Sequence, residues 1–345
     1  MRKMSITLRL ATEKDAHTWN EIVEREPQGN FFDRFEWCQA LGLISKNIKP
    51  TPLLIEKDEE LSGVFPLCLR RTYYTRYLES LPFSDYGGGS FFRSKQDDYR
   101  TELIRKLIEV GKQKNCLRIT IRRAFFDDLI EANMIGKPVI VEANNCTFSI
   151  SLQDEVDNIF RKIQKSRRKG IRRAQERGTI VSEAESLNDV ENYYEIYVRT
   201  MKRLKASPLP LSFLKNLWNV FEPKGEIKIF LAEYNHKAIA GVLRFIYKKV
   251  MYSWGAAFLK EYVYLRPLDL LVWHAIEWSV DHGIGLLDLG STPNNPSESH
   301  FIFKKSWGGQ KRILYNYHII LQPSKMKLYK FGNKLVGNIK NILMI

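Results

Sequence analysis

Three runs of sequence decide the fold: Ile227-Lys-Ile-Phe-Leu-Ala-Glu233, Ala238-Ile-Ala-Gly-Val-Leu-Arg-Phe-Ile246 and Val250-Met-Tyr-Ser-Trp-Gly-Ala-Ala257. Each is rich in strand-forming residues, and the three read as successive extended segments. A helix is expected next, from about Pro267 to His282. Proline stands in its first turn, Leu270, Leu271, Trp273, Ile276 and Val280 supply apolar positions, and Gly283 stops it. Leu286-Leu-Asp-Leu289 then closes the unit as a strand.

The same order occurs once before. Pro52-Leu-Leu-Ile-Glu-Lys57, Leu61-Ser-Gly-Val-Phe-Pro-Leu-Cys-Leu69 and Tyr77-Leu-Glu-Ser-Leu-Pro-Phe-Ser-Asp85 are extended. A helix with Leu103, Ile104, Leu107, Ile108 and Gly111 at helical spacing follows, then the alternating strand Leu117-Arg-Ile-Thr-Ile-Arg122. Leu61-Ser-Gly-Val-Phe65 aligns with Ile239-Ala-Gly-Val-Leu243 at an offset of 178 residues. One α+β module used twice accounts for both halves. The expected organisation is a first domain over 1–150, a basic helical linker over 151–178, a second domain over 179–323 and a C-terminal segment over 324–345.

Composition agrees with two cores and speaks about partners. At 345 residues the chain is long for one domain. Its 54 Lys and Arg against 39 Asp and Glu leave a formal charge of +15, which draws polyanions. No apolar stretch reaches the roughly 18 residues of a membrane span, and the start of the chain lacks a signal-peptide run. Cys38, Cys68, Cys116 and Cys146 form no C-x-x-C pair. Reduced, buried thiols in a cytoplasmic protein are expected.

The charge is concentrated. Residues 161–177 hold nine basic side chains, among them Arg167, Arg168, Lys169, Arg172 and Arg173, against the single acid Glu176. So dense a run reads as a phosphate-binding ridge, and its lack of interleaved aromatics favours contact with an RNA backbone over base stacking. A solvated helix face is the alternative. From Ser324 to Ile345, Leu328, Phe331, Leu335, Ile339 and Ile342 share a stripe opposite Lys327, Lys330 and Lys334. That pattern suits peripheral contact with an anionic membrane, or docking onto the protein's own core.

In sequence order, Phe35-Glu-Trp37, Leu81-Pro-Phe-Ser-Asp-Tyr-Gly-Gly-Gly89, Lys165-Ser-Arg-Arg-Lys-Gly-Ile-Arg-Arg-Ala174, Thr200-Met-Lys-Arg203, Arg266-Pro267, Asp288-Leu-Gly290 and Phe303-Lys-Lys-Ser-Trp-Gly308 make a set. With these motifs the chain resembles the FemABX-like transferases and their BioF2-like relatives from about Ile6 to Leu321. The resemblance implies two tandem GNAT-like domains, each a mixed twisted sheet flanked by helices. It also implies acyl transfer to an amine. The donor it implies is aminoacyl-tRNA and the acceptor a cell-envelope precursor carrying an amine, as in peptidoglycan synthesis. An acyl-CoA-dependent N-acyltransferase is the second reading, and a non-enzymatic RNA-binding or membrane-associated adaptor the third.

Such a reaction needs a stabiliser for the carbonyl oxyanion and a group that orients the amine. By the resemblance Lys304 takes the first role and Asp85 the second, although Ser84-Asp-Tyr-Gly-Gly-Gly89 is also what a plain turn looks like. Arg203 and Arg266 suit anionic substrate groups, or else structural acids. Trp37 and Tyr252 complete the expected substrate-binding set, with core packing as the other role of Tyr252. Ser207-Pro-Leu-Pro-Leu211 stands where cell-wall members commonly carry a further arginine. Leu259-Lys-Glu-Tyr-Val-Tyr-Leu-Arg-Pro267 lacks the glycine-rich turn by which acetyl-CoA enzymes hold pyrophosphate. The six histidines show no metal-ligand spacing and no nucleotide-binding glycine motif occurs, so no metal and no bound cofactor are expected.

Overall fold

The computed structural model describes residues 5–91, 97–123 and 136–328. The chain forms two compact units, Met1–Glu142 with Tyr315–Ile345, and Ala143–Leu314. In chain order the first contains β1 (Ile6–Leu10), α1 (Ala16–Arg25), α2 (Phe35–Ala40), β2 (Ile48–Pro50), β3 (Leu53–Lys57), β4 (Glu60–Phe65), β5 (Cys68–Arg71), β6 (Arg76–Glu79), β7 (Ser90–Phe91), α3 (Asp97–Gln113) and β8 (Arg118–Arg123). Strand β9 (Val139–Ser151) carries the chain into the second unit. There follow α4 (Val156–Lys162), α5 (Lys165–Glu176), β10 (Ile180–Glu183), α6 (Leu187–Arg203), α7 (Leu211–Phe221), β11 (Ile227–Tyr234), β12 (Lys237–Tyr247), β13 (Val250–Phe258), α8 (Pro267–Asp281), β14 (Leu286–Asp288), β15 (Thr292–Pro293) and α9 (Ser299–Lys305). Strand β16 (Gln310–Ile320) leads back.

The repeated module is present in both units. In each, an antiparallel hairpin, β3–β4 or β11–β12, precedes a helix that crosses between two parallel strands, β6 and β8 around α3 or β13 and β14 around α8. Gly63 and Gly241, the matched glycines, occupy equivalent places on the second hairpin strand. A Cβ on Gly63 would come within 2.3 Å of Phe91, and one on Gly241 within 2.7 Å of Tyr193. The halves differ at Pro66. Without an N–H to donate, proline interrupts the ladder. The expected strand Leu61–Leu69 is therefore two, β4 pairing with β3 and β5 with β6. In the second unit β12 is unbroken and pairs with both β11 and β13.

Two apolar cores hold the units. Leu67, Leu78, Leu107, Ile119 and Tyr317 lie in the first, and Phe230, Val242, Met251, Leu271 and Trp307 in the second. The segment 151–178, expected as a linker, is built into the second unit. Ile159, Ile163, Ile171 and Ala174 of α4 and α5 are buried in its core, so the basic side chains occupy the outer side of an integral helix. The chain returns to the first unit at Tyr315, earlier than the expected boundary at 323, because Tyr315–Ile320 pair antiparallel with Arg118–Arg123 of β8. Residues 323–328 are helical, and the remainder of the expected C-terminal stripe lies outside the described residues. No helix among the described residues is long and apolar enough to cross a membrane.

Candidate active site

In the second unit the parallel strands β13 and β14 pair only through Val250–Leu286, Met251–Leu287 and Tyr252–Asp288. Beyond Tyr252, among the described residues, no strand pairs with β13 on that side, while the chain after β14 turns to pair with β9 at Thr292–Cys146. The strands part at this point. Met251 and Tyr252 are buried, Ser253, Trp254 and Gly255 are half-buried, Ala256 is exposed, and Ala257 is buried again. The register of β12 and β13 also shifts here, Leu243 facing Gly255 and Arg244 facing Ser253, so Trp254 is the extra residue of a bulge. A strand edge open in this way can hydrogen-bond an extended, amide-rich acyl donor.

Lys304, in the last turn of α9, is tied to the turn that follows β14. Its Nζ donates to the carbonyl oxygens of Gly290 at 2.9 Å and Ser291 at 2.8 Å, in the turn that leaves β14. That turn is held by Asp288, 4% exposed, which accepts from Thr147 Oγ1 at 2.7 Å and from the backbone N–H of Gly290 at 2.6 Å. The Asp288-Leu-Gly290 and Phe303–Gly308 motifs thus form one assembly, and an ammonium so placed can stabilise a developing oxyanion. Tyr252 is buried beside it, opposite Asp288 in the sheet register.

The basic helix adjoins the lysine helix. Gln164 N–H donates to Ser306 O at 3.1 Å, and the Arg167 guanidinium lies 5.0 Å from the centre of the Phe303 ring. Arg167 is not part of the exposed ridge: its Nη1 meets Asp269 Oδ1 at 2.6 Å, and it is 16% exposed. Arg266 meets the other oxygen of Asp269, Nε to Oδ2 at 2.7 Å. One buried carboxylate therefore joins an arginine read as RNA-binding to one read as substrate-binding. The fork holds Arg266 at the start of α8, where its φ of 60° is left-handed and strained. It depends on Gly170, where a Cβ would lie 2.4 Å from Asp269 Oδ2. Burial pushes the Asp269 carboxyl up, and the two guanidiniums pull it back. Lys169, Arg172 and Arg173 stand exposed on the outer face of α5, and Arg168 is half-buried.

Arg203 and its motif fasten the far end of β13. Arg203 Nη1 donates to Phe258 O at 3.2 Å and the guanidinium stacks 4.1 Å from the Phe258 ring. Thr200 Oγ1 both donates to that carbonyl and accepts from Phe258 N–H, each at 3.1 Å. In the first unit Trp37 is fully buried, packed edge-on against Phe31 and Phe32, so it meets protein instead of substrate. Its Nε1 donates to Ser84 Oγ at 2.7 Å, which fixes the loop carrying the half-buried Asp85.

Sequence reading passed over Asp269, Arg244 and Tyr193. Arg244 is buried in the sheet with its Nη1 on Ser253, and burial pushes its guanidinium down to about 9. The Tyr193 hydroxyl is buried without a hydrogen-bond partner among the described residues, against Gly255, and burial pushes it up. A charged residue in the middle of an apolar strand, Leu243-Arg-Phe245, was the available signal for Arg244. All four cysteines are free and buried. Burial holds the Cys146 thiol up although Lys311 and Lys304 pull it down, and Cys116 is pushed up to about 11. Nucleophilic thiolate is thereby disfavoured. Among the described residues no His, Cys, Asp and Glu cluster is arranged to hold a metal.

Residues 161–301 match the acetyltransferase (GNAT) domain family. No curated protein sequence matches the chain. Among solved structures, FemX superposes with a TM-score of 0.72 at 15% identity, covering 93% of this chain and 99% of that one. L-PGS from Bacillus licheniformis gives 0.60 at 11% identity, with 93% and 98% covered. A tandem GNAT protein from the clavulanic acid biosynthesis pathway gives 0.57 at 9%, with 91% and 98% covered. The chain has the FemX-like tandem GNAT fold, and its residues 161–301 carry an acetyltransferase (GNAT) domain.

Proposed function

We propose that this protein is an acyltransferase that takes an aminoacyl group from its tRNA ester and joins it, as an amide, to an amine on a cell-envelope precursor. The supporting observation is the junction between the exposed basic face of α5 and the helix that carries Lys304, made through Arg167–Phe303 and Gln164–Ser306. Lys169, Arg172 and Arg173 take tRNA phosphates, the aminoacyl end enters where β13 and β14 part, and Lys304 stabilises the oxyanion formed as the amine attacks the ester carbonyl. The ester oxygen leaves with the tRNA. The proton lost by the attacking amine ends on that departing ribose oxygen, which leaves as a hydroxyl, and Asp85 is the group we assign to orient the acceptor.

The match of 161–301 to an acetyltransferase domain favours a second reading, with an acyl thioester as donor. One experiment separates the two: the protein is given charged tRNA bearing a labelled amino acid, or a panel of acyl-CoAs, with amine-bearing precursors as acceptors. RNase-sensitive transfer of label supports the first reading. Release of free thiol without RNA overturns it in favour of the second.

A further inference from the structure

The tip of the β5–β6 hairpin places two aromatic rings in water. Tyr73 is 100% and Tyr74 91% exposed. The turn that presents them is well fixed: Thr72 N–H donates to Thr75 O at 2.8 Å, Thr75 N–H to Thr72 Oγ1 at 3.1 Å, and the two threonine hydroxyls are 2.6 Å apart. The rings contribute nothing to either core. An aromatic body with a polar tip is suited to the boundary between water and hydrocarbon.

Beside the tip is a recess of about 330 Å³ whose lining includes Arg71, Arg76, Asn115, Gln322 and Lys325, and no acid. Glu79, at the other end of β6, is bridged by Arg70 at 3.5 Å and Arg118 at 3.8 Å. The other wall is the chain after β16, anchored by Met326 against Tyr77, Leu117 and Ile320 and by Gln322 Nε2 donating to Asn115 Oδ1 at 2.8 Å. That anchoring leaves Lys325, Lys327 and Leu328, itself 71% exposed, facing solvent.

We propose that this surface of the first unit seats on an anionic phospholipid bilayer. Tyr73, Tyr74 and Leu328 enter the headgroup boundary, and the recess between Arg71, Arg76 and Lys325 receives a lipid phosphate. Charge complementarity selects an anionic partner, and the exposed leucine and paired tyrosines select one with an apolar interior over a nucleic acid. The assignment stands independently of the donor and acceptor proposed above, and its test does not use the transfer reaction.

The full chain is sedimented with vesicles of equal parts phosphatidylglycerol and phosphatidylcholine, and with phosphatidylcholine alone. Binding to the first and not the second is expected. Arg71→Gln with Arg76→Gln lowers it by about 25-fold, roughly fivefold per cation, and Tyr73→Ser with Tyr74→Ser by about tenfold. Unchanged circular dichroism shows that these surface variants fold. Absence of anionic-vesicle binding overturns the proposal, as does binding that neither double variant weakens. Variants that weaken tRNA binding and spare vesicle binding overturn it too, by making the surface a nucleic-acid site.

Discussion

Lys304 Nζ lies 2.9 Å from the carbonyl oxygen of Gly290, tying the last turn of α9 to the turn that ends β14. The ammonium is thereby fixed on the backbone two residues past Asp288, the last residue of β14 to pair with β13. Preorganised charge at such a point requires little rearrangement as the oxyanion forms. Lys304→Met should lower kcat by about 10²- to 10³-fold with a small change in KM. Steady-state kinetics with a thermal melt as control decides this, and an unchanged kcat would reduce Lys304 to a clamp on the 290–291 turn.

The outer face of α5 should act on binding alone. Lys169→Glu with Arg173→Glu is expected to raise KM for a charged-tRNA donor and leave kcat in place. The salt dependence of tRNA affinity should lose about one unit of slope for each phosphate contact removed. Filter binding across a salt series measures both effects. Arg167 is excluded from this group because Asp269 already holds it.

The Asp269 fork should be a stability element. Asp269→Asn leaves two guanidiniums without their shared carboxylate and is expected to cost about 3 kcal/mol. Gly170→Val, which drives side-chain atoms into the same fork, should cost about 1–3 kcal/mol. Urea unfolding reports both. If either variant were as stable as the parent, α5 would not depend on this contact.

Acid should weaken the fold through two histidines. Burial holds His274 and His318 below the usual imidazole value, although Glu142, 3.1 Å from His318 Nε2, pulls the other way. Above about pH 6.5 both are neutral in the folded and unfolded chain. As pH falls through that value the unfolded chain binds protons first, so their contribution is complete at neutral pH and lost on acidification. Urea midpoints between about pH 7.5 and 5.5 should fall more steeply in the parent than in the double variant His274→Gln, His318→Asn.

Much of this was legible in the chain itself. The sequence of elements within each repeat, both crossover helices and the matched glycines at 63 and 241 follow from periodicity and turn residues, which are local properties. The basic run at 161–177 was equally plain, but its role as a linker was not sustained. Charge alone does not show that Ile163, Ile171 and Ala174 are buried on the inner side of the same helices. Thr200-Met-Lys-Arg203 was visible as a motif, and only the fold shows it gripping the backbone of Phe258.

Local pattern determined the two repeated runs of three extended segments, a helix and a strand, and where the positive charge is gathered. Tertiary structure decided which side chain meets which: that Asp269 collects Arg167 and Arg266, that Trp37 is enclosed and reaches Ser84, and that Lys304 ends on the carbonyls of Gly290 and Ser291. The reason is physical. Backbone conformation is set mainly by residues a few positions apart, whereas a buried charge is stabilised by partners that chain folding brings from far along the sequence, here 102 residues in the case of Arg167 and Asp269.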